Sequence, residues 1–551
     1  MRELSWRDRL IVIALTIFAV GAFVFWVAVV YRAETKVAPQ AGGQYIEGVV
    51  AQPRYVNPIL SQTSDADADL VELLYAGLFD YDTTGALIKD MASDYAIAED
   101  GKLYTVYLRR GIQFHDGTEL TANDVVFTLR AIQDPAYKSP LRPNWLGVEV
   151  NAPDPYTVVF SLKKTYFGFL ENLTVGILPK HIWENIPAER FTLADYNLIE
   201  PIGSGPYRYL DSDKDAQGNF LSYHLEAFPE YFAMTPYIER FTLRFYNDEE
   251  SMIEAYNHDE ILGIHSIRPE NENLLSPKKS ARIFPLALPR VFAVFLNTNK
   301  SVALAYDEVR QALTQATNRQ AVLDEVLGGR GIQVSGPFLP FMFGYDQNLH
   351  STEYSVEEAN KLLDEKGWVM GDGGVRSRDG VALSFDLATP DWPELARTAD
   401  ILRDQWKDIG VQVEVKVLSQ ADLQQNVIRP REYQALLFGE GNMLDPDPYS
   451  FWHSSQKNDP GLNLAFFEEK RVDEILVEAR ETIDPVKRAE LYQEFQTIIE
   501  REHPAVFLYS PEYLYVVSSD VQGIQAKNIA TPNQRLSDLV TWYLKTKRVK
   551  K

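Results

Sequence analysis

Residues 101–130 read GKLYTVYLRRGIQFHDGTELTANDVVFTLR, and this stretch decides how the rest of the chain is interpreted. Residues 104–109 alternate between two faces, which is the period of a half-buried strand. A turn is expected at Asp116-Gly117. Thr121 then stands three residues before Asp124, the spacing that caps the start of a helix. The stretch therefore predicts a strand, a turn and a capped helix.

Composition limits the class of protein. The chain has 551 residues, of which 45% are hydrophobic and 12% aromatic, so it is long enough for several well-packed globular units. Its formal net charge of −24 argues against nucleic acid as a partner, because nucleic acid requires a basic surface. The chain has no cysteine, which excludes disulfides, thiol catalysis and cysteine-ligated zinc.

Enzyme motifs are absent from the sequence. The eight histidines are scattered without the paired spacing of a zinc site, and no G-x-S-x-G or P-loop pattern occurs. His115 and Asp116 resemble catalytic groups, but we interpret them as a turn that joins a strand to a helix. Gly203 and Gly205 predict a tight backbone turn, and His181 is expected to pack or to cap. We therefore predict no enzyme activity, no cofactor and no metal.

Longer phrases carry a family resemblance. LYTVYLRRGIQFHDGTELTANDVVFTL closely resembles the signature segment of family 5 extracellular solute-binding proteins, which capture peptides, nickel or oligosaccharides for ABC importers. GGQYIEGVVAQPRYVNPIL, ILPKHIWENI, PIGSGPYRY and VRQALTQATNRQAVLDEVLGGRG are similar to further family phrases. The resemblance covers residues 45–543 and leaves out only the N-terminal segment and the basic tail.

The resemblance implies an α/β protein with the type II periplasmic-binding-protein fold. This fold has two lobes joined by a hinge, here with an extra α/β domain. One transmembrane helix is expected to precede it, from the residues of the N-terminal segment and not from the resemblance. The implied domain boundaries are the anchor and linker 1–44, lobe I at 45–74, 199–290 and 507–544, domain II at 75–198, lobe III at 291–506, and a tail at 545–551.

The N-terminal segment is expected to cross a membrane. Residues 10–31 form an uncharged run, long enough for a bilayer core of ~30 Å, with Arg2, Arg7 and Arg9 before it. The alternative is a cleaved signal peptide, but the run is longer than a typical signal core and no Ala-x-Ala site follows. Because no cysteine is available for the lipid tether of many relatives, we favour an uncleaved anchor with the large domain outside the cell membrane.

The second half of the chain carries clear local signals. Residues 309–326 predict a helix closed by Gly328-Gly329, and residues 371–389 predict a hairpin turning at Asp379-Gly380. Helical patterns also cover residues 394–409 and 472–502, the latter broken at Asp484-Pro485. The repeated strands and helices predict a largely parallel sheet.

Two chain segments that flank the globular part lie outside the family resemblance. Residues 33–43, AETKVAPQAGG, predict a short linker. The tail KTKRVKK carries five basic residues in seven, and we expect it to be solvated, although contact with anionic lipid is an alternative.

The candidate ligand site is residues 438–455, FGEGNMLDPDPYSFWHSS. Its glycines and prolines predict a loop, and acidic and aromatic residues on a scaffolded loop are typical of a binding site. The alternative is a rigid DPDP turn with aromatic side chains that fill the core behind it. The ligand-binding candidates are Asn442, Asp445, Asp447, Tyr449 and Trp452.

The family resemblance assigns a role to this loop. In peptide-binding members an aspartate of the matching loop pairs with the α-ammonium of the ligand. Asp445 is the better match to it, and Asp447 is the second candidate. Trp452 is expected to line the cleft nearby. No arginine or histidine matches a motif for the ligand carboxylate.

The resulting expectation is a monomeric, membrane-anchored binding protein. It captures peptides between two closing lobes and delivers them to an ABC permease. The alternatives are a binder of an oligosaccharide or a nickel complex, and a sensory or structural protein on the same fold.

Overall fold

The computed structural model describes residues 6–277, 280–349 and 352–550. Arg2 and Lys551, two of the terminal basic residues noted above, lie outside the described residues. The helices are α1 Trp6–Glu34, α2 Asp65–Leu74, α3 Ala122–Gln133, α4 Lys180–Trp183, α5 Glu249–Asn257, α6 Asp307–Gln315, α7 Arg319–Leu327, α8 Val356–Glu365, α9 Pro393–Lys407, α10 Gln420–Asp422, α11 Tyr449–Trp452, α12 Lys470–Glu481 and α13 Pro485–Glu502.

The strands of the first half are β1 Thr35–Gln40, β2 Gln44–Val49, β3 Phe79–Tyr81, β4 Leu87–Lys89, β5 Ala92–Ile97, β6 Leu103–Leu108, β7 Val148–Asp154, β8 Thr157–Leu162, β9 Tyr207–Lys214, β10 Phe220–Ala227, β11 Arg240–Phe245 and β12 Gly263–Ile267. Those of the second half are β13 Ala281–Ala287, β14 Arg290–Leu296, β15 Gly331–Gln333, β16 Val369–Met370, β17 Arg376–Arg378, β18 Val381–Ala382, β19 Ser384–Pro390, β20 Gln412–Leu418, β21 Ala435–Gly441, β22 Ala505–Ser518 and β23 Lys545–Lys550.

The segment 101–130 folds as its pattern predicts. Strand β6 pairs antiparallel with β5 and β8 in a four-stranded sheet. At the start of α3 the backbone N–H and the hydroxyl of Thr121 both donate to Asp124 Oδ2, at 2.8 and 3.0 Å. The strand, the turn and the side-chain cap are therefore confirmed.

His115 and Asp116 fix backbone segments that are distant in sequence. The backbone N–H of Gly203 donates to His115 Nδ1 at 3.2 Å, so Nε2 carries the proton and donates to Gly205 O. Asp116 Oδ2 contacts His181 Nε2 at 2.7 Å. At Gly203 a β-carbon would lie only 1.9 Å from Leu74 O, so close backbone approach requires glycine there. The structural interpretation of this turn is confirmed.

The largest sheet is mixed, not largely parallel as expected. Its order is β20-β19-β21-β14-β22-β12-β2-β11-β10-β9, with β13 and β15 also paired to β22. Parallel pairs occur where a crossover connects neighbours, as for β19 with β20 and β2 with β11. The prediction is wrong because β22 returns from a long excursion, and it pairs antiparallel with β12, β13, β14 and β15.

Strand β22 passes from one half of the molecule to the other. Its beginning, at Ala505 to Tyr509, pairs with β14, and its end, at Leu514 to Val517, pairs with β12. In the described part of the chain the buried apolar side chains form separate clusters on the two sides, two drawn from residues 45–288 and 514–542 and two drawn from residues 291–509. A continuous strand therefore links two separately packed halves.

Arg535 ties together three distant segments of the first half. Its side chain is fully buried and lies between the carboxylates of Glu47 on β2 and Asp69 on α2. Both oxygens of Asp69 accept from the guanidinium at 2.6 Å. The second oxygen of Glu47 accepts from Tyr45 and Tyr515 at 2.8 and 2.7 Å. Every polar atom of the two carboxylates is thus paired.

Most local signals of the second half are confirmed, with one break. The hairpin turns at Asp379-Gly380, whose φ angles of 51° and 80° are those of the favoured two-residue turn. The single helix predicted over residues 309–326 is instead α6 and α7, because Asn318 starts a new helix by accepting from the Ala321 N–H at 3.0 Å.

Helix α1 contains a span, Leu10–Glu34, that is long and apolar enough to cross a membrane. The segment that follows α1 and the basic tail pair with each other, which the sequence did not predict, and most side chains of the tail are exposed, as expected. Residues 35–40 form β1, which pairs antiparallel with β23 from the basic tail. The pairing joins segments from the two ends of the chain, a long-range contact that neither segment signals alone.

Candidate functional site

The loop 442–448 follows strand β21 and leads into helix α11. Residues 438–441, which we expected in the loop, belong to β21, where Gly439 packs against the ring of Phe292 in β14. The hydroxyl of Tyr492 on α13 donates to Pro446 O at 2.8 Å and fixes the DPDP turn against that helix. The loop is therefore a rigid connection whose aspartates face helices α12 and α13.

Asp445 makes a one-sided ion pair with Arg488 of α13. Arg488 Nη2 donates to Asp445 Oδ2 at 2.6 Å, while Asp445 Oδ1 is buried and accepts no hydrogen bond. The guanidinium is 7% exposed and lies 3.7 Å from the ring of Phe167 and 4.4 Å from that of Phe343. Burial raises the pKa of Asp445 to about 6, although the Arg488 charge acts to lower it.

Asp447 is paired on both oxygens. Arg480 Nε lies 2.9 Å from each oxygen, and Arg480 Nη2 donates to Oδ2 at 2.6 Å. The hydroxyl of Tyr166 adds a contact to Oδ2 at 3.4 Å. The guanidinium of Arg480 also stacks 3.8 Å from the centre of the Tyr449 ring. This carboxylate therefore has no oxygen left without a donor.

Trp452 lies in the core, which corrects the expectation that it lines a cleft. Its side chain is 1% exposed and its ring contacts those of Phe295, Phe467, Phe495 and Phe507. The indole N–H donates to Glu440 Oε1 at 3.4 Å. For this residue the alternative, an aromatic side chain that fills the core behind the turn, is the observed one.

Asn442 serves the same buried carboxyl group. Its Nδ2 donates to Glu440 Oε1 at 3.1 Å, whereas Glu440 Oε2 has no partner. Burial raises the pKa of Glu440 to about 7. Asn442 and Trp452 thus position a buried acid of β21 in this structure.

A cavity of about 470 Å³ is lined by residues of the first half and by Met443 of the loop, and two of its lining residues, Glu171 and Tyr81, lie close enough to Asp445 to interact with its charge. Four acidic side chains line it, Asp65, Glu72, Asp80 and Glu171. None of the described residues that line it is lysine, arginine or histidine. The cavity therefore favours a positively charged ligand group.

Burial and neighbouring negative charge disfavour the ionised forms of the acidic side chains in this cavity. Burial, and then the nearby charge of Asp445, raise the pKa of Glu171 to about 8. Burial also raises the pKa of Glu72 and of Asp80. The Tyr81 hydroxyl and Asn172 Nδ2, both in the cavity lining, are buried without a hydrogen-bond partner. A ligand that supplies charge and hydrogen bonds would relieve these costs.

Tyr166 separates this cavity from a second one of about 680 Å³. The second cavity is lined by Asp447, Tyr449 and Arg480 on one side and by Lys163 and Lys164 on the other. The predicted site residues thus fall into three groups. Asp447 and Tyr449 face one cavity, Asp445 lies next to the other, and Asn442 and Trp452 lie behind the loop.

The sequence analysis did not identify the two arginines that pair with the aspartates of the loop. Arg480 and Arg488 lie on either side of the break at Asp484-Pro485, in two helices that pack as a pair. They follow the loop by more than thirty residues, and no local spacing links them to it. Tyr166, Phe167 and Glu171 come from a still more distant segment. Only the appearance of two arginines near a helix break could have drawn attention to this region.

Metal ligands do not cluster in the described part of the chain. Within residues 6–277, 280–349 and 352–550, no three His, Asp or Glu side chains come together as a set that could hold an ion.

Comparison with known proteins places the chain in context. Residues 86–461 match the sequence profile of bacterial extracellular solute-binding proteins, family 5 (middle). The oligopeptide-binding protein AppA of Bacillus subtilis is 28% identical over 515 residues, which is 92% of each chain. The dipeptide-binding protein of Escherichia coli is 26% identical over 502 residues, covering 86% of this chain and 90% of that one.

A solved structure extends the likeness to three dimensions. The structure of AppA from Bacillus subtilis in complex with a nonapeptide superposes with a TM-score of 0.72 at 27% identity. The match covers 92% of this chain and 100% of that one. The two-lobed α/β architecture described above is therefore a periplasmic-binding-protein fold, as the sequence predicted.

Proposed function

The chain belongs to the bacterial extracellular solute-binding proteins of family 5, and from this premise we propose that it captures peptides for an ABC importer. Two similar relatives are named as oligopeptide- and dipeptide-binding proteins, and AppA holds a nonapeptide in its structure. The protein binds its ligand between the two halves and delivers it to a membrane permease. No covalent chemistry is required for this role.

The observation that carries the proposal is the unpaired oxygen of Asp445. A buried carboxylate oxygen without a donor costs about 1–3 kcal/mol, and the N–H of a ligand ammonium can remove that cost. Arg488 holds the other oxygen and so fixes the direction in which Oδ1 accepts. We infer that Asp445 binds the α-ammonium of the peptide by a charge-assisted hydrogen bond.

The neighbouring acidic cavity supports this assignment. Its lining carries four carboxyl groups and no described cation, so it complements the positive end of a peptide. Asp447 is the weaker candidate, because Arg480 already satisfies both of its oxygens. Tyr449 and Asn442 stay secondary candidates, and Trp452 supports the loop from behind.

Closure of the two halves supplies the mechanism. Arg488 of α13 stacks on Phe167, and the Arg480 guanidinium of α12 lies 5.9 Å from the centre of the Tyr166 ring, so both helices meet the segment 166–167 directly. A ligand that contacts both halves only in the closed state shifts the population toward closure. The peptide backbone pairs with exposed strand edges, which allows many side-chain sequences to bind.

A two-by-two binding experiment tests the α-ammonium contact. Calorimetry compares the natural protein and Asp445→Ala with a free-amine peptide and its N-acetylated form. Removing one partner of a buried charge pair costs ~2–5 kcal/mol, so each single change should weaken binding by roughly thirtyfold or more. The two losses should not add, because both delete one interaction.

The contrary results are equally specific. Equal affinity of the natural protein for free and acetylated peptides would show that the ammonium is not bound. An oligosaccharide panel and nickel complexes, measured by thermal shift on the same protein, would then identify the alternative ligand classes. Additive losses would mean that Asp445 acts elsewhere than at the ammonium.

The membrane anchor is the second part of the proposal. The span Leu10–Glu34 is uncovered by the rest of the described protein and carries aromatic side chains near its end, as transmembrane helices do at the membrane–water interface. Full-length protein should sediment with membranes, whereas protein beginning at Thr35 should stay in solution. Detection of a mature N-terminus beyond residue 28 would show that the segment is a cleaved signal instead.

A further inference from the structure

The two chain segments outside the family resemblance form a separate ribbon. Strand β1 pairs with β23 over six residue pairs, from Thr35 with Lys550 to Gln40 with Lys545. The ribbon is a sheet of two strands and does not join the large sheet. Most of its side chains are exposed. Isolated two-stranded ribbons are only marginally stable in water, so a surface that covers it would stabilise it.

The ribbon is fastened to the end of helix α1 by Arg548. Its Nε donates to Thr35 Oγ1 at 2.8 Å, and its Nη2 lies 3.1 Å from both Arg32 O and Thr35 O. The guanidinium carbon lies 5.7 Å from the centre of the Tyr31 ring. The C-terminal residues are therefore held beside the last turn of α1.

The ribbon is strongly basic in an acidic protein. It carries Lys36, Lys545, Lys547, Arg548 and Lys550 and no acidic residue, although the whole chain has a net charge of −24. Within the described residues, none of these five side chains pairs with a carboxylate, unlike many lysines and arginines of the globular part. Alternate residues of a strand face opposite sides, so both faces of the ribbon are positive.

We propose that this ribbon binds the anionic phospholipid headgroups of the membrane that α1 crosses. The inference rests on the proposed anchor, since the apolar run ends at Tyr31 and places the ribbon at the headgroup level. The apolar surface of α1 then contacts the acyl chains of one leaflet, and the unpaired cations of the ribbon contact the headgroups of the same leaflet. A lysine or arginine near an anionic membrane surface strengthens association by about fivefold.

The consequence for function is orientation. A single helix followed by a free linker leaves the binding domain to tumble on the membrane. The ribbon joins the linker to the C-terminus of the domain, and adsorption of the ribbon holds that domain close to the permease.

Hydrogen exchange on full-length protein in lipid nanodiscs tests the proposal. Amides of residues 35–40 and 545–550 should exchange several-fold more slowly in discs with one third phosphatidylglycerol than in neutral phosphatidylcholine discs. Half-molar salt should remove most of the difference, because it screens exposed charges. Lys545→Gln, Lys547→Gln and Lys550→Gln combined should also remove it, with Arg548 kept to hold the ribbon together.

The matched control removes the same charge elsewhere. Lys102→Gln, Lys366→Gln and Lys407→Gln replace three exposed lysines outside the ribbon and should leave the difference unchanged. Inorganic phosphate added to neutral discs should give no protection. Protection by free phosphate, or equal exchange in both discs for the natural protein at low salt, would overturn the proposal.

The nanodisc experiment distinguishes failure of the membrane anchor from failure of the lipid contact. If the full-length protein does not co-elute with nanodiscs, the proposed membrane helix is wrong. Co-elution with no lipid-dependent protection of the ribbon leaves the anchor intact and refutes the lipid contact alone.

Discussion

Two arginine–carboxylate clusters, around the buried side chains of Arg535 and Arg488, are built from the same groups and differ in what they leave unpaired. Arg535 is shared by Glu47 and Asp69, and each of the four carboxylate oxygens accepts at least one hydrogen bond. Arg488 has one carboxylate partner, and both its Nε and Asp445 Oδ1 lack partners.

The difference separates a structural role from a binding role. A fully satisfied buried cluster gains nothing from a ligand, because no donor or acceptor is free to meet it. A half-satisfied cluster beside a cavity retains a desolvated charge that a ligand can complete. The Arg535 cluster closes the core of the first half, whereas the Arg488 cluster lies at the meeting of the two halves.

The largest effect is expected from a substitution that breaks the fully paired cluster around Arg535. Arg535→Met leaves two carboxylates buried without their cation, and loss of one partner of a buried pair costs about 3–5 kcal/mol in the free energy of unfolding. Arg488→Met is the matched change in the other cluster. It should cost only about 1–3 kcal/mol, because Asp445 can take up a proton when the cation is lost.

Denaturant unfolding at pH 7.5, with circular dichroism of all three proteins, measures both values. Both variants replace a buried arginine by an unbranched apolar side chain, so the loss of packing is similar. A larger loss for Arg488→Met than for Arg535→Met would invert the comparison and make the Arg488 cluster the structural one.

The sequence predicts the local features of the fold better than it predicts the features that depend on tertiary packing. Local signals such as the alternation in β6, the cap at Thr121 and the hairpin at Asp379 depend on neighbours in the chain, and the structure confirms them. The parallel sheet and the single helix at 309–326 were wrong, since strand direction and the break at Asn318 depend on tertiary packing.

The site shows the same limit. The position of the acidic loop could be proposed from composition and resemblance, but the state of its charges could not. Whether Asp445 or Asp447 keeps a free oxygen depends on Arg488 and Arg480, which are 43 and 33 residues away in sequence. Burial of Trp452 follows in the same way from packing partners on other strands and helices.

A pH titration of peptide binding tests the role of Asp445 through a smaller effect. The pKa of Asp445 is raised to about 6, so its carboxyl becomes protonated as the pH falls through 6. Binding of an ammonium requires the ionised form, and affinity for a free-amine peptide should therefore fall by up to about tenfold per pH unit below that value. Calorimetry between pH 5 and 7.5 measures the change.

The groups that face Asp445 are Arg488, Asp447, Glu171, Tyr81 and Tyr492. Glu171 also titrates with a raised pKa, so the N-acetylated peptide serves as the control. Its binding does not use the α-ammonium and should vary less over the same range. A parallel decline for both peptides would assign the pH dependence to closure or to Glu171 instead of the ammonium contact.

The smallest expected effect distinguishes the two aspartates of the loop. Asp447→Asn removes the charge opposite Arg480, but the amide oxygen still accepts from the guanidinium, and Arg480 keeps its stacking on the Tyr449 ring at 3.8 Å. Because neither oxygen of Asp447 is free for a ligand, affinity for a free-amine peptide should fall by less than about threefold, or ~0.7 kcal/mol. Asp445→Asn, measured beside it by calorimetry at pH 7.5, should lose at least ten times more affinity. If Asp447→Asn is instead the damaging change, the ammonium pairs with Asp447, and the Arg480 pair must open when the peptide binds.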